Sequence, residues 1–571
     1  MEELLVSVAD AVTQAGGAAI CHHGLLADVV DGDTVAVVVP HEYFALDADP
    51  APALLGRTIG FGVEHPGTTT FESAAAIMGR LGGSVEIAAD AVAEMGRRGV
   101  TSHRFVLGYR PAWDERDRHG DRDIDVVHVG TADESRLAQL APIAVDLVGC
   151  RSELLLAPHE PMTAPRPDFV VGDAKWDLLA RSRLLLNLHR EGATAFEWVR
   201  ALDAISNGCV VLTTPSTGLD PLVPGEHLLV AEPERIGRVA RAALLDPGRL
   251  TEMADAAHDR CRDQLDMVES ASRLVELAGD VHASARPWGG AAARRSPVPP
   301  PIGAASPLAE WVPTVRPLPD PGATPDPRAR RMLHELLAAR AELTTPPTVV
   351  SRSSDTDVEV DVVCVARAGD GPLSLTLDSL RSAGVEAAVH AGYDGVDERL
   401  ARDASSPVDV VTTAAFSWPV GRGAARNRLL SSGSAPLVLV LDAGDEVLGA
   451  GLDDLVELFG ERPELDVAYP LAVLGSRMVV NALVPEARRL QRFAYLDRGY
   501  VVRRSFLDRL GGFGEGPELE GFVDHHFWRR AVEAGAEVEL RRHVGFRLWE
   551  QSPEPTLAEL DPAATLAALV D

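Results

Sequence analysis

No stretch of this chain runs apolar for the roughly 18 residues that a membrane-crossing helix needs, so no spanning segment is expected. Cysteine is scarce. Cys21, Cys150, Cys209, Cys261 and Cys364 lie far apart, are odd in number and form no CxxC pair. That pattern fits a reduced, cytoplasmic chain and excludes a cysteine zinc site. The start, Met1-Glu2-Glu3-Leu4-Leu5, has neither a basic n-region nor an apolar h-region, so no signal peptide is expected. Basic residues are outnumbered, 54 against 85 acidic ones, for a net charge of −31. Such a surface repels nucleic acid and anionic membrane, although a local basic pocket for a nucleotide diphosphate remains open to it. Gly60-x-Gly62 lacks the third glycine and the following helix of a dinucleotide fingerprint.

What is present is an ordinary globular composition, 46% hydrophobic over 571 residues, a length that suggests about three or four folding units or fewer large ones. The first 280 residues alternate strand and helix patterns, which means parallel, Rossmann-like sheets. Helices are expected over 3–15, 71–81, 89–98, 134–147, 195–207, 233–245 and 247–277. Apolar runs suited to strands fall at 17–21, 34–40, 58–63, 84–87, 104–109, 125–129, 153–157, 184–188, 209–213 and 227–231.

Within that series, Lys175-Trp-Asp-Leu-Leu-Ala-Arg-Ser-Arg-Leu-Leu-Leu-Asn-Leu-His189-Arg190 is followed by Phe196-Glu-Trp-Val-Arg-Ala-Leu-Asp203 and then by Pro221-Leu-Val-Pro-Gly-Glu-His-Leu-Leu229. Residues 172–245 resemble the donor-binding lobe of GT-B glycosyltransferases, more narrowly the bacterial family 1/4-like group. The resemblance implies a nucleotide-diphospho-sugar donor. A helix N-terminus would accept its diphosphate, and Glu191, Glu197 and Asp203 would bind its hydroxyls. Position 195, where the family carries an acid, is Ala195. Arg136 or Lys175 either meets phosphate or is a solvated helix charge. Trp176 and Trp198, at helical spacing, read as core.

Residues 286–328 hold about a dozen prolines, with Gly, Ala and Ser, and read as a stiff tether. A helix over 328–343 and a loop over 344–357 precede a new domain. Its centre is Leu437-Val-Leu-Val-Leu-Asp442-Ala-Gly444-Asp445, a buried strand closed by a glycine turn. Ligands bind beyond the carboxyl ends of such strands. Paired carboxylates there suit Mg²⁺ or Mn²⁺, although an isolated Asp-x-x-Asp is more often a turn.

Around that strand stand Gly421-Arg-Gly-Ala-Ala-Arg426-Asn427, Gly511-Gly-Phe-Gly514, Asp524 before an aromatic-Arg helix, and a late Arg541-Arg-His543. As an ordered set they resemble a GT-A glycosyltransferase of the family-two type. The resemblance implies that Asp394, Arg426 and Asn427 lie near the nucleotide. It also implies that Asp442, Asp445 and His543 hold a divalent ion, and that Asp524 is the base that deprotonates the acceptor hydroxyl. The family's second metal acid belongs at position 444, which is Gly444.

The expected architecture is α/β throughout: a Rossmann-like lobe over 1–115, a GT-B donor lobe over 116–285, the tether over 286–328, a helix and loop over 329–357, and a GT-A domain over 358–571. The expected activity is hexosyl transfer from a nucleotide-diphospho-sugar to a glycan or lipid-linked acceptor in bacterial cell-wall or surface polysaccharide synthesis. Two rivals stand beside it: a degenerate binding scaffold and a GT-B-like sugar-nucleotide epimerase.

Overall fold

A computed structural model describes residues 2–22, 24–30, 32–46, 50–114, 122–158, 169–190, 192–285, 316–319, 327–328, 331, 335, 348–351, 358–383, 386–395, 410–416, 419–551 and 562–570. The stretch 286–315 of the tether, most of the helix expected at 328–343, and Glu191 lie outside the described residues. The chain forms two compact units, Met1–Arg136 with Cys150–Ala309, and Leu137–Gly149 with Glu310–Asp571.

The first unit holds two all-parallel sheets. One has the order β1 (Ala36–Val38), β2 (Thr58–Gly62), β3 (Gly83–Glu86), β4 (His103–Arg104). The other runs β6 (Ser152–Ala157), β5 (Ile124–Thr131), β7 (Ser182–Asn187), β8 (Val210–Thr213), β9 (Leu229–Val230). β2 and β8 are buried at every position, as continuous apolar strands covered on both faces should be. The N-terminal helix Glu2–Gln14 carries Glu2 and Glu3 in its first turn, where the helix dipole favours acids. Its buried face, Leu4, Val8 and Ala11, packs on the helix Met267–Ser284. One core joins both sheets, with Phe61, Phe105, Val127 and Leu185 among its members.

Several boundaries differ from the sequence reading. The helix expected over 247–277 is two, Pro247–Gln264 and Met267–Ser284. Leu265 leaves the helical region, and the Asp266 carboxylate accepts the Val268 N–H to start the second. The helix expected from Ala195 begins at Trp198, because Ala195 bridges to Thr217. Residues 17–21 form no strand.

The second unit is built on one ten-stranded mixed sheet. Its strands are β11 (Thr348–Ser351), β12 (Val360–Ala366), β13 (Ala387–Asp394), β14 (Val410–Phe416), β15 (Leu437–Asp442), β16 (Glu446–Val447), β17 (Val467–Leu474), β18 (Met478–Val480), β20 (Tyr500–Arg503) and β21 (Val538–Leu548). A separate two-stranded pair joins β10 (Arg316–Pro317) to β19 (Phe493–Ala494). β14, β13, β12 and β15 run parallel to one another, and β20 pairs antiparallel with β15. β15 is central and wholly buried, so its carboxyl end delivers Asp442 and Asp445 to one rim of the sheet. Among the described residues no helix is long and apolar enough to cross a membrane.

Candidate functional sites

In the first unit the carboxyl ends of β5 and β7 bring three guanidinium groups together. Arg136 is 2% exposed. It donates to Glu197 Oε1 at 2.7 Å, to Thr131 Oγ1 at 2.5 Å and to the Leu188 carbonyl at 3.1 Å. Arg200 lies 2.8 Å from Glu197 Oε2 and donates to Asn187 Oδ1 at 3.1 Å. Arg190 reaches Thr131 at 3.3 Å and, on the strand end of β2, Glu64 at 3.3 Å. Burial alone would raise the Glu197 carboxyl, but Arg200 and Arg136 hold it far below the usual carboxylate range. Glu64 also accepts the Thr70 hydroxyl at 2.6 Å. The groups line a cavity of about 1720 Å³, which Thr131, Arg136, Arg190 and Glu197 share with the apolar side chains of Val37, Val129 and Leu185. A few convergent polar groups in an otherwise apolar cavity are what a small-ligand site requires.

Arg136 and Lys175 are both withdrawn from solvent, so neither is a solvated helix charge. Lys175 stands between Asp203, at 2.8 Å, and Glu3. Burial works against its charge, yet the two carboxylates outweigh it and hold the ammonium above its usual range. Lys175 therefore ties the N-terminal helix to this lobe, and it occupies the Asp203 carboxylate oxygen that faces it. Trp198 belongs to the core, and Trp176 stacks on Trp113 with ring centroids 5.7 Å apart.

In the second unit the rim of β15 is a mesh of arginine and aspartate. Asp442 is 1% exposed and accepts from Arg422, from Arg426 at 3.2 Å and from Gln551 Nε2 at 3.3 Å, with Arg498 also at 3.2 Å. Burial is overcome by these guanidinium groups, and the Asp442 carboxyl is held well below its ordinary value. Asp445 receives Arg498 in bidentate fashion, at 2.7 and 2.9 Å, together with the Trp549 N–H at 2.7 Å and the Asp442 N–H at 2.7 Å. Arg422 also donates to Asp370 at 2.8 Å.

Asp524, at the start of the helix Val523–Glu533, accepts from Arg426 at 2.8 Å and from the Tyr500 hydroxyl at 3.1 Å. Its side chain is 13% exposed. Burial pushes its carboxyl up against the pull of Arg426. Asp442, Asp524 and Arg426 thus do gather, as do Asp442 and Asp445.

Other candidates are placed differently. Asp394 accepts the N–H groups of Val420 and Gly421, and Arg367 stands 3.2 Å away, so it anchors the start of the helix Arg422–Leu430. Asn427 clamps the Gly511–Gly514 turn, donating to the Phe513 carbonyl at 2.9 Å and accepting the Phe513 N–H at 2.8 Å. His543 does not join Asp442 and Asp445. The last strand runs over Val538–Leu548, which puts His543 in mid-strand, 3.7 Å from Asp454.

The expected divalent ion does not fit this donor set. The carboxylate oxygens already accept guanidinium and amide hydrogens. Among the described residues no group of three or more His, Cys, Asp or Glu is placed to hold a metal.

Arg422, Arg498 and Gln551 were missed from the sequence. Arg422 had a signal, since it precedes Arg426 by one helical turn and shares its face. Arg498 and Gln551 had none.

Residues 135–276 match a glycosyl transferase-like family. No curated protein matches the chain. Among solved structures it is similar to S. aureus TarS 1-349 in complex with UDP-GlcNAc, at 17% identity and a TM-score of 0.29, covering 34% of this chain and 60% of that one. It is also similar to the mannosyltransferase PcManGT from Pyrobaculum calidifontis in complex with GDP-Man and Mn²⁺, at 19% identity and a TM-score of 0.26, covering 40% and 66%. The chain therefore spans about 60% of the first of these relatives.

Proposed function

We propose that this chain is a glycosyltransferase that moves a sugar from a nucleoside-diphospho-sugar to a hydroxyl of a glycan or lipid-linked acceptor. The observation that carries the reading is the set of three arginines around Glu197. All of them lie within the family-matched segment and line one cavity. Arg136 and Arg190 bind the diphosphate as charge-assisted donors, and Glu197 orients Arg136 and Arg200 toward it. Negative charge builds on the leaving phosphate oxygen as the sugar–oxygen bond breaks, and fixed guanidinium groups in a water-poor cavity stabilise that charge.

The second unit is, in this proposal, a GT-A-type module acting on a related donor. Asp524 takes the proton of the acceptor hydroxyl, whose oxygen attacks the anomeric carbon while the electron pair of the breaking bond leaves on the diphosphate. A single base on the face opposite the leaving group inverts the anomeric centre. Its raised carboxyl pKa suits a base working nearer neutrality than an ordinary aspartate. Two modules on one chain would serve a bacterial surface or cell-wall glycan through consecutive additions, with the tether raising effective concentration.

The test is calorimetric titration of the full chain with UDP-, GDP- and dTDP-sugars, followed by NMR analysis of products with and without oligosaccharide acceptors. Transfer to an acceptor supports the proposal. Interconversion of free sugar nucleotides would replace it with an epimerase, and the absence of both binding and turnover with a scaffold. Asp524→Asn lowers turnover by about 10²–10⁴ if the base assignment holds.

A further inference from the structure

The rim of β15 is where a GT-A module is expected to hold its metal, and four features there oppose one. Position 444 is closed to an acid: Gly444 sits at φ +93°, and a Cβ on it would stand 2.5 Å from the Gly371 Cα. Gln551 points a nitrogen donor, not a ligand lone pair, at Asp442. His543 lies beside Asp454. A divalent ion against Asp442 would also face Arg422, Arg426 and Arg498, and like charges at that range in a buried site repel strongly.

We infer that the second unit works with arginine in place of a divalent ion: Arg422, Arg426 and Arg498 fill the position of the cation, and a nucleoside diphosphate reaching this rim is held by Arg422. The inference rests on reading this unit as a nucleotide-sugar module. Arg422 is the member for the task because it stands at the rim, 9% exposed in its side chain, while Arg426 is wholly buried. Its contacts to Asp370 and Asp442 hold the guanidinium in place before the ligand arrives, and a phosphate exchanges with one of those carboxylates. Arg367 stands nearby on Glu520, which also accepts the Arg422 backbone N–H at 3.3 Å.

Two measurements on the full chain, treated with chelator and desalted, test this. In the first, Mn²⁺ is titrated while the paramagnetic resonance signal of the free ion is followed, for the unaltered protein and for Asp442→Asn. The expected result is identical uptake by both. A stoichiometric Mn²⁺ site lost in Asp442→Asn overturns the inference. Absence of a stoichiometric Mn²⁺ site in the unaltered protein meets the expectation whether or not the variant folds.

In the second, UDP and GDP are titrated calorimetrically in EDTA and then in Mn²⁺, for the unaltered protein, Arg422→Gln, Arg422→Lys and Arg136→Gln. The last variant separates the contribution of the first unit. The expected result is a binding event in EDTA that Arg136→Gln leaves in place and that Arg422→Gln weakens roughly tenfold or more, with partial retention in Arg422→Lys. An Arg422-dependent event that appears only with Mn²⁺ overturns metal independence while leaving the nucleotide reading intact. No Arg422-dependent event under either condition removes the nucleotide reading of this unit, and the inference with it.

Discussion

Glu86 ends β3 and is 1% exposed, with its Oε2 lacking a hydrogen-bond partner. It lies against the backbone of Gly62, where a Cβ would come within 2.0 Å of that oxygen. Burial, and then the charges of Asp90 and Glu64, push its carboxyl from 4.5 up to about 8. The folded protein therefore keeps this proton over a pH range in which the unfolded chain has lost it. Below pH 4.5 both states are protonated and Glu86 contributes nothing to the pH dependence. Between 4.5 and about 8 the unfolded state gains by ionising, so stability falls as pH rises, and above about 8 the loss is complete. At about 1.36 kcal/mol for each pH unit, the full span is worth roughly 5 kcal/mol, of which about 3 has accrued by pH 7.

Glu86→Gln keeps the shape and removes the titration. Glutamine leaves one buried polar atom unpartnered, as the protonated acid does, so the readout is the slope with pH and not the absolute stability. Scanning calorimetry of both proteins between pH 5 and pH 8.5 should show the variant gaining on the parent as pH rises. The gain should reach roughly 5–10 °C in the affected transition at neutral pH, with a plateau above pH 8. Asp90→Asn in the parent should shrink the gain, because it removes one of the charges that oppose ionisation. A difference that does not change with pH, or one that narrows as pH rises, would refute the argument.

Lys175→Met leaves the buried Asp203 carboxylate and the half-buried Glu3 carboxylate without their cation. It should cost about 3–5 kcal/mol in urea unfolding followed by tryptophan emission, and a loss under about 1 kcal/mol would mean that the pair is solvated. Arg136→Gln should raise the donor KM roughly ten- to hundredfold through the loss of charge-assisted hydrogen bonds. Unchanged steady-state kinetics would move the donor elsewhere. Gly444→Asp, which places a carboxylate where the sequence resemblance expects one, should lower stability by about 2 kcal/mol or more from backbone strain and the contact with Gly371. If manganese uptake and full stability were found together in that variant, the steric account of the rim would fail.

The strands that deliver both sites were readable because they are continuous apolar runs. Val360–Ala366, Leu437–Asp442 and Val467–Leu474 are buried at all or nearly all positions. Boundaries set by a single side chain were less readable. Asp266 starts a helix inside what looks like one long helical pattern, and Ala195 is drawn out of a helix by a bridge to Thr217. The last strand, Val538–Leu548, runs through the polar Arg541-Arg542-His543 because it pairs along its length with the strand Val467–Leu474.

The sites divide along the same physical line. Which carboxylates reach a strand end is a local matter, and Asp442, Asp445 and Asp524 were placed by local pattern. What each carboxylate faces is decided by residues far away in the chain. Arg498 meets Asp445 across 53 positions, and Gln551 meets Asp442 across 109. An aspartate at the end of a buried strand has a large desolvation cost to offset, and either a divalent ion or a guanidinium group can do so. The sequence around Asp442 is compatible with both. The choice between them is made by Gly444, which admits no third acid, and by three arginines that converge only in the folded sheet. Asp394 and Asn427 illustrate the same limit. The sequence resemblance puts both beside a nucleotide, but backbone N–H and carbonyl groups from neighbouring loops already take up their side-chain oxygen and nitrogen atoms.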